Sequence, residues 1–293
     1  MTSAQVWFIT GASSGFGLSM VQVALASGDI VVATARQPEA LADLSTHHTT
    51  DKLLVIQLDV TKHEQVAAAF AQAKNAFGRV DIVYNNAGQG VIGEIECVPD
   101  DLARALFDIN FWGAVNVSKE AVRFFREENP SGRGGTLLQT SSMSAIRGIA
   151  CLSYYSAGKW ALEGFSESLS QELDPKWNIK IVVLQAGWHR TKINSRATRL
   201  PGHPAYLEPS SAVMQTRDAI DGMDESQATQ DVDKASRAIF EFLRSADSEG
   251  VLVRLPLGKD SVAATKEKIT WLSETVGKCE KWSKDLTIDK SER

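Results

Sequence analysis

Short runs of consecutive apolar residues alternate along the chain with longer stretches in which apolar positions recur every three or four residues. The runs lie at Gln5–Ile9, Ile30–Thr34, Leu53–Leu58, Ile82–Tyr84, Thr136–Gln139, Lys180–Leu184 and Val251–Leu255. Uninterrupted apolar runs of this length predict strands buried on both faces, and the stretches between them predict helices. Strand and helix in strict alternation give an α/β fold: a doubly wound, Rossmann-type parallel sheet of about seven strands, with right-handed crossovers and helices in layers on both sides. Helix starts are marked by Pro38-Glu39 and by Thr61-x-x-Glu64, a capping-box spacing ahead of Val66-Ala-Ala-Ala-Phe70.

Two segments break the rhythm. From Lys192 to Gln230 the chain carries Pro201, Gly202, Pro204 and Pro209, then Ser210-Ser211 and an acidic patch from Asp221 to Glu225. An irregular stretch of this length inside a folded domain predicts a substrate lid at 192–230. The last stretch, 259–293, is charged, with Trp271 and Trp282 embedded, and predicts a C-terminal extension that packs as a helix before fraying.

Composition narrows the function classes. With 293 residues, 43% of them hydrophobic, the chain has enough core for one α/β domain spanning 1–293. The formal charge is −5, and no stretch is dense in basic residues, which argues against nucleic acid as a partner. No apolar run approaches a membrane span and no leader pattern opens the chain, so a soluble, cytoplasmic protein is expected. Cys97, Cys151 and Cys279 lack metal or disulfide spacing, and His47-His48 has no third ligand nearby, so no metal site is expected.

The candidate chemistry sits in two places. Gln5–Ile9 runs into Thr10-Gly11-Ala12-Ser13-Ser14-Gly15-Phe16-Gly17 and then an apolar helical run. Strand, glycine-rich turn and helix start make a phosphate cradle, in which backbone N–H groups meet an anion at the positive end of a helix. Further along, Tyr155 and Lys159 stand four residues apart, and on a helix that spacing puts the lysine ammonium beside the tyrosine phenol. A cation there favours the phenolate and brings proton exchange toward neutral pH. Tyr154 lacks this partner, because Gly158 stands four residues on.

The ordered set Thr10-Gly-x-x-x-Gly-x-Gly17, Asn85-Asn86-Ala87-Gly88, Asn110, Ser142 and Tyr155-x-x-x-Lys159 resembles the short-chain dehydrogenase/reductase family, in its single-domain branch. The resemblance is strong over residues 5 to about 192 and covers the remainder in outline. It implies catalytic roles for Asn110, Ser142, Tyr155 and Lys159. Tyr155 would exchange the proton, Lys159 would lower its pKa and hold the nicotinamide ribose, and Ser142 would bind the substrate oxygen. Asn110, through its side chain or a kinked helix, would hold a water linking Lys159 to solvent.

The cofactor would be held by Gly11, Ser13, Ser14, Gly15, Phe16 and Gly17 at the pyrophosphate, and by Asn86, Ala87 and Gly88 at the riboses. Asp59 and Val60 would bracket the adenine, although Asp59 also reads as a helix N-terminal acid. The asparagines Asn85 and Asn86 also read as satisfying the backbone of their turn. Gly187 and Thr191 would meet the carboxamide and phosphate. The family's Pro-Gly is here Ala186-Gly187, a change that frees the local backbone. Trp188 and His189 either reach the site, or pack under the lid and lie in solvent respectively. Arg36 stands where an acid would bind a ribose 2′-hydroxyl, and its guanidinium matches a phosphate in charge and shape, so NADP(H) is expected over NAD(H).

The implied activity is hydride transfer between nicotinamide and a small or medium apolar ketone or secondary alcohol. Its rivals are a redox-inactive NADP(H)-sensing protein and an epimerase or dehydratase on the same scaffold. The stretches Leu102 to Arg126 and Ser156 to Leu173 match the helices that pair in dimeric and tetrameric relatives.

Overall fold

The computed structural model describes residues 4–222, 230–284 and 286. Seven parallel strands form one sheet in the order β3-β2-β1-β4-β6-β7-β9. These are β1 (Val6–Ile9), β2 (Ile30–Ala35), β3 (Leu53–Gln57), β4 (Ile82–Asn85), β6 (Gly135–Thr140), β7 (Ile179–Ala186) and β9 (Leu252–Leu257). Between β4 and β6 lies β5 (Val91–Ile92), which pairs in parallel with β8 (Thr198–Arg199) in a separate two-stranded sheet. The strand order reverses between β1 and β4, so the carboxyl ends of those strands open a crevice at the switch point.

The alternation of side chains along each strand explains why the strands read as unbroken apolar runs. Phe8 joins one core with Val32, Phe70, Phe124 and Val183, while its neighbours Trp7 and Ile9 join the other with Met20, Val31, Ile239 and Phe240. Helices α3 (His63–Phe77) and α5 (Ala114–Glu127) cover the first face, and α1 (Gly15–Ala26) and α9 (Val232–Phe242) cover the second. Phe8 stacks on Phe70 with ring centroids 4.2 Å apart, and Trp7 stacks on Phe240 at 5.8 Å. Each such aromatic pair adds about 1 kcal/mol beyond its buried area.

Other helices are α2 (Ala42–His47), α4 (Asp100–Phe107), α6 (Ser153–Glu172), α7 (Ile193–Arg196), α8 (Ala212–Gly222) and α10 (Lys259–Cys279). Between α4 and α5 the helix widens to a π turn over Asp108–Gly113. The stretch 102–126, read from the sequence as one helix, is therefore interrupted at Asn110.

Two local expectations are corrected. The capping box Thr61-x-x-Glu64 does not form: α3 starts at His63, and the Thr61 hydroxyl donates instead to Asp59 Oδ1 at 2.8 Å. The Asp59 carboxylate, also accepting from Thr61 N at 3.0 Å, outcompetes the helix for that hydroxyl. The segment 192–230, expected to be irregular, carries α7, β8 and α8, while its residues 223–229, including most of the acidic patch, lie outside the described ones. In the C-terminal stretch α10 forms as expected, and residues 285 and 287–293 lie outside the described ones.

Candidate active site

A cleft of about 910 Å³ lies across the carboxyl ends of the sheet, and most of the residues singled out by sequence line it. At one end stand Gly11, Ser13, Ser14, Gly15 and Phe16, with Arg36, Asp59 and Val60 beyond them. Asn86, Ala87 and Gly88 line the middle, and Ser142, Tyr155, Lys159, Gly187, His189 and Thr191 line the other end. Gly17 and Asn110 stand behind this lining and shape it.

The glycine turn fits a pyrophosphate. Gly11 and Gly15 take φ of +65° and +54°, the left-handed region that a side chain resists. Gly17 must be glycine for a different reason: a Cβ there would drive into the Gly11 carbonyl oxygen and come within 2.7 Å of the Asn86 amide nitrogen. The helix α1 begins at this turn with Ser14 as its cap, and the Ser14 side chain makes no capping bond. The first-turn N–H groups therefore point at the cleft without a side-chain acceptor, which suits an anionic group. Thr10, fully buried, accepts from Asn86 N and Ala87 N at 2.9 and 3.0 Å, and Asn86 Nδ2 donates to the Thr10 carbonyl at 3.0 Å. Asn86 thus satisfies the turn backbone, and Asn85 binds inward, donating to Ala114 O and Gln139 Oε1, both at 2.8 Å.

Arg36 emerges from the end of β2 and reaches across the cleft rim. With the Gln89 amide turned to satisfy both groups, its oxygen accepts from the two terminal nitrogens of Arg36 at 2.8 and 3.2 Å. Asn110 holds the same Gln89 from the other side, accepting from its N and donating to its O, both at 2.8 Å. The Asn110 side chain is thereby engaged on both its polar atoms, and the feature left open at this point is the widened helix.

The end of the cleft that holds Tyr155 and Lys159 is built by α6 against the end of β6. Lys159, 3% exposed, donates from Nζ to the Thr140 carbonyl at 2.7 Å, and Nζ lies 5.8 Å from the Tyr155 ring centre. Burial pulls the Lys159 ammonium down to about 8, opposed by the charge of Glu163. The Tyr155 phenol departs from expectation. Burial pushes it above its ordinary value and only a hydrogen bond with Ser142 pulls it back. The lysine ammonium, aimed at Thr140, does not reverse that. Spacing gave the neighbour correctly but carried no information on desolvation.

At the end of β7, Ala186 stands where the family carries proline. The strand continues through Ala186, paired with Leu257, and Gly187 N donates to Leu257 O at 2.8 Å. The path that follows is clamped by residues the sequence did not flag. Asp260 accepts from Trp188 N at 2.7 Å and from Gln230 Nε2 at 2.7 Å, and Gln230 Nε2 also donates to Trp188 O at 3.0 Å. Trp188 packs with Ile92, Leu152, Val213 and Ile220, and it also lines the cleft. His189 is half-buried rather than solvated, with its Nδ1 3.0 Å from Gly187 O and its ring edge-on to Phe16 at 5.0 Å. Burial lowers the His189 pKa, which favours the neutral ring.

The far wall is apolar. Ile92, Ile149, Leu152, Trp188 and Ile193 line it, and α8 supports them through Val213 and Ile220. Among the described residues no cluster of three metal-ligating side chains occurs, and no helix is long and apolar enough to cross a membrane.

Comparison with known proteins places this arrangement. An uncharacterized oxidoreductase of Schizosaccharomyces pombe is 43% identical over 199 residues, 68% of this chain and 65% of that one, so the match spans just under two thirds of the relative's length. The NADPH-dependent 1-acyldihydroxyacetone phosphate reductase of Saccharomyces cerevisiae is 28% identical over 203 residues, 69% of this chain and 66% of that one. Among solved structures, a short-chain dehydrogenase from Streptomyces avermitilis superposes with a TM-score of 0.84 at 33% identity, covering 98% of this chain and 100% of that one. The family model described as short chain dehydrogenase matches residues 5–200, and the chain belongs to the short-chain dehydrogenase/reductase family.

Proposed function

We propose that this protein is an NADP(H)-dependent oxidoreductase acting on a small or medium apolar ketone or the corresponding secondary alcohol. The observation that carries this reading is the facing of Tyr155 and Ser142 beside Lys159 in the cleft that the glycine turn opens. Residues Gly11 to Gly17 would hold the pyrophosphate and Asp59-Val60 the adenosine end. Asn86 to Gly88 and Lys159 would hold the riboses, and Gly187, His189 and Thr191 the nicotinamide end. Arg36 supports NADP(H) over NAD(H), as a guanidinium at the rim of the adenosine end with no acid beside it in the lining except Asp59. Segment 192–230 is read as the lid and 259–293 as an extension that clamps the loop after β7.

When bound, the nicotinamide supplies or accepts hydride. In reduction the substrate carbonyl oxygen lies between the Tyr155 and Ser142 hydroxyls. As that oxygen gains negative charge both donors bind it more tightly than they bound the ketone, which lowers the barrier. Tyr155 passes its proton to the oxygen, and the positive charge of Lys159 stabilises the phenolate left behind. In alcohol oxidation the same groups run in reverse. The apolar wall of Ile92, Ile149, Leu152 and Trp188 offers hydrophobic contact, which supports an apolar body for the substrate, while Lys192 and Arg196 bring positive charge to the same cleft.

A panel of ketones and secondary alcohols, followed by NADPH absorbance, tests the reading. Tyr155→Phe should bind NADPH and lose turnover by ~10²–10⁴-fold, the usual contribution of a positioned acid. Tyr154→Phe, whose ring packs with Val91, Val98 and Leu106, serves as control and should lose far less. A protein that binds NADPH yet turns over nothing would favour the redox-inactive sensor. Equal impairment of the two variants would remove Tyr155 from its role.

A further inference from the structure

Three consecutive residues at the end of β6 meet three residues of α6 spaced by four. Ser142 faces Tyr155, Thr140 O accepts from Lys159 Nζ at 2.7 Å, and Ser141 Oγ donates to Glu163 Oε1 at 2.6 Å. Positions 155, 159 and 163 share one helix face, so the three contacts form successive rungs. Two rungs carry the proton chemistry. The third, a carboxylate 8% exposed, has had no part in it.

A buried carboxylate is costly unless it is paired and hydrogen-bonded. Glu163 is both. Gln185 Nε2 donates to its two oxygens at 3.1 and 2.9 Å, and Arg254 Nε approaches Oε2 at 3.3 Å. Arg254 is shared, since its Nη2 donates to Glu167 at 2.5 Å, and its side chain is 37% exposed. The arginine therefore screens Glu163 only in part. The next cation is Lys159, one turn back on the same face.

We propose that Glu163 is a positioning residue that acts through two neighbours, its charge keeping Lys159 an ammonium and its hydrogen bond fixing the strand end that presents Ser142. The inference rests on the reading of Tyr155 and Lys159 as the proton-transfer pair. Around Lys159 and Glu163, α6 contributes Tyr155 and Glu167, and β9 contributes Arg254. From β6, β7 and the π turn come the uncharged Thr140, Ser141, Gln185 and Asn110. Of these, Glu163 is the group whose charge opposes the loss of the lysine proton that burial favours.

The test is a titration of Lys159 itself. Protein carrying ¹³Cε-labelled lysine is followed by NMR against pH, with the Lys159 signal identified by its absence in Lys159→Met. Glu163→Gln keeps the shape and an acceptor for Ser141 but removes the charge, so the Lys159 midpoint should move to lower pH. Glu163→Asp should restore it toward the wild-type value. Arg254→Met removes the screening cation and should move the midpoint the other way, which keeps the proposal open to refutation even if Glu163→Gln folds poorly. In steady-state ketone reduction the alkaline limb of kcat should move with the midpoint, downward in Glu163→Gln and upward in Arg254→Met. An unchanged Lys159 midpoint in folded Glu163→Gln, or a midpoint that fails to rise in Arg254→Met, overturns the inference. If wild-type protein shows no turnover on any substrate while the midpoints move as expected, the reading of the reaction fails and the coupling of Glu163 to Lys159 stands.

Discussion

The ion pair between Glu94 and Arg217 makes a quantitative prediction about the segment over the site. Glu94 follows β5 and is 3% exposed; Arg217 lies on α8, with its side chain 11% exposed. The two meet as a fork, Nε to Oε1 at 2.5 Å and Nη2 to Oε2 at 2.6 Å, while Arg217 Nη1 reaches the Leu200 carbonyl at 3.2 Å. One pair thus joins α8, the loop after β8 and the strand beside the cleft. The guanidinium holds the Glu94 carboxyl down to about 2 from an ordinary 4.5. At 1.36 kcal/mol per decade of proton affinity, that drop is worth about 3 kcal/mol in favour of the charged, docked form. The folded value is depressed, so the contribution is complete above the ordinary carboxyl range and fades as pH falls toward about 2.

Glu94→Gln removes the carboxylate charge from this fork, a change worth about 3 kcal/mol by the same proton-affinity argument. If α8 opens as a local unit, its amide hydrogens should exchange ~10²-fold faster at neutral pH, since 1.4 kcal/mol is a factor of ten. Exchange in β1 and β4 should stay as it is. The assay is hydrogen exchange read on peptides covering 212–222, at neutral pH and again at about pH 4, where wild-type protection should persist. Because Val213 and Ile220 of α8 back the apolar wall, the same variant should raise KM for apolar ketones more than it lowers kcat. Unchanged exchange over 212–222 in Glu94→Gln would refute the view that this pair holds the segment down.

What could be read from the sequence follows the range of the forces involved. Strand positions were legible to within a residue or two, because burial on both faces leaves an unbroken apolar run, as in Val6–Ile9 with Trp7 and Phe8 facing opposite cores. The glycine turn and the Tyr155–Lys159 spacing were legible because each is local. The β5–β8 pairing was not, since two-residue strands separated by more than a hundred positions leave no periodicity. Nor was the Glu94–Arg217 fork, whose partners are 123 residues apart. Thr61 illustrates competition within the local range: a capping-box spacing was present, but Asp59 two residues earlier captured the hydroxyl. Glu163 is the residue that sequence reasoning had the means to find, four positions beyond Lys159 on the face already identified. Its significance depends on burial beside Ser141 and Gln185, which the helical spacing alone does not reveal.

Two further predictions concern the cofactor. Gly17→Ala should weaken NADPH binding by about 5- to 100-fold in fluorescence titration, because the added methyl meets the Gly11 carbonyl and the Asn86 amide, and overpacking a turn costs about 1–3 kcal/mol; undiminished binding would mean the turn does not hold the cofactor. Arg36 is expected to discriminate between the two nicotinamide dinucleotides. Its guanidinium is held at the cleft rim by the Gln89 oxygen at 2.8 and 3.2 Å, a neutral partner that a phosphate can displace. A charged hydrogen-bonded contact of this kind is worth about 1.5–3 kcal/mol, so calorimetry should find NADPH bound about 10- to 100-fold tighter than NADH. Arg36→Ala should remove that margin by weakening NADPH alone, while NADH binding and the turnover supported by saturating NADH stay near wild type. Equal affinities in the wild-type protein, or NADPH binding that survives Arg36→Ala, would move the discriminating contact away from the end of β2.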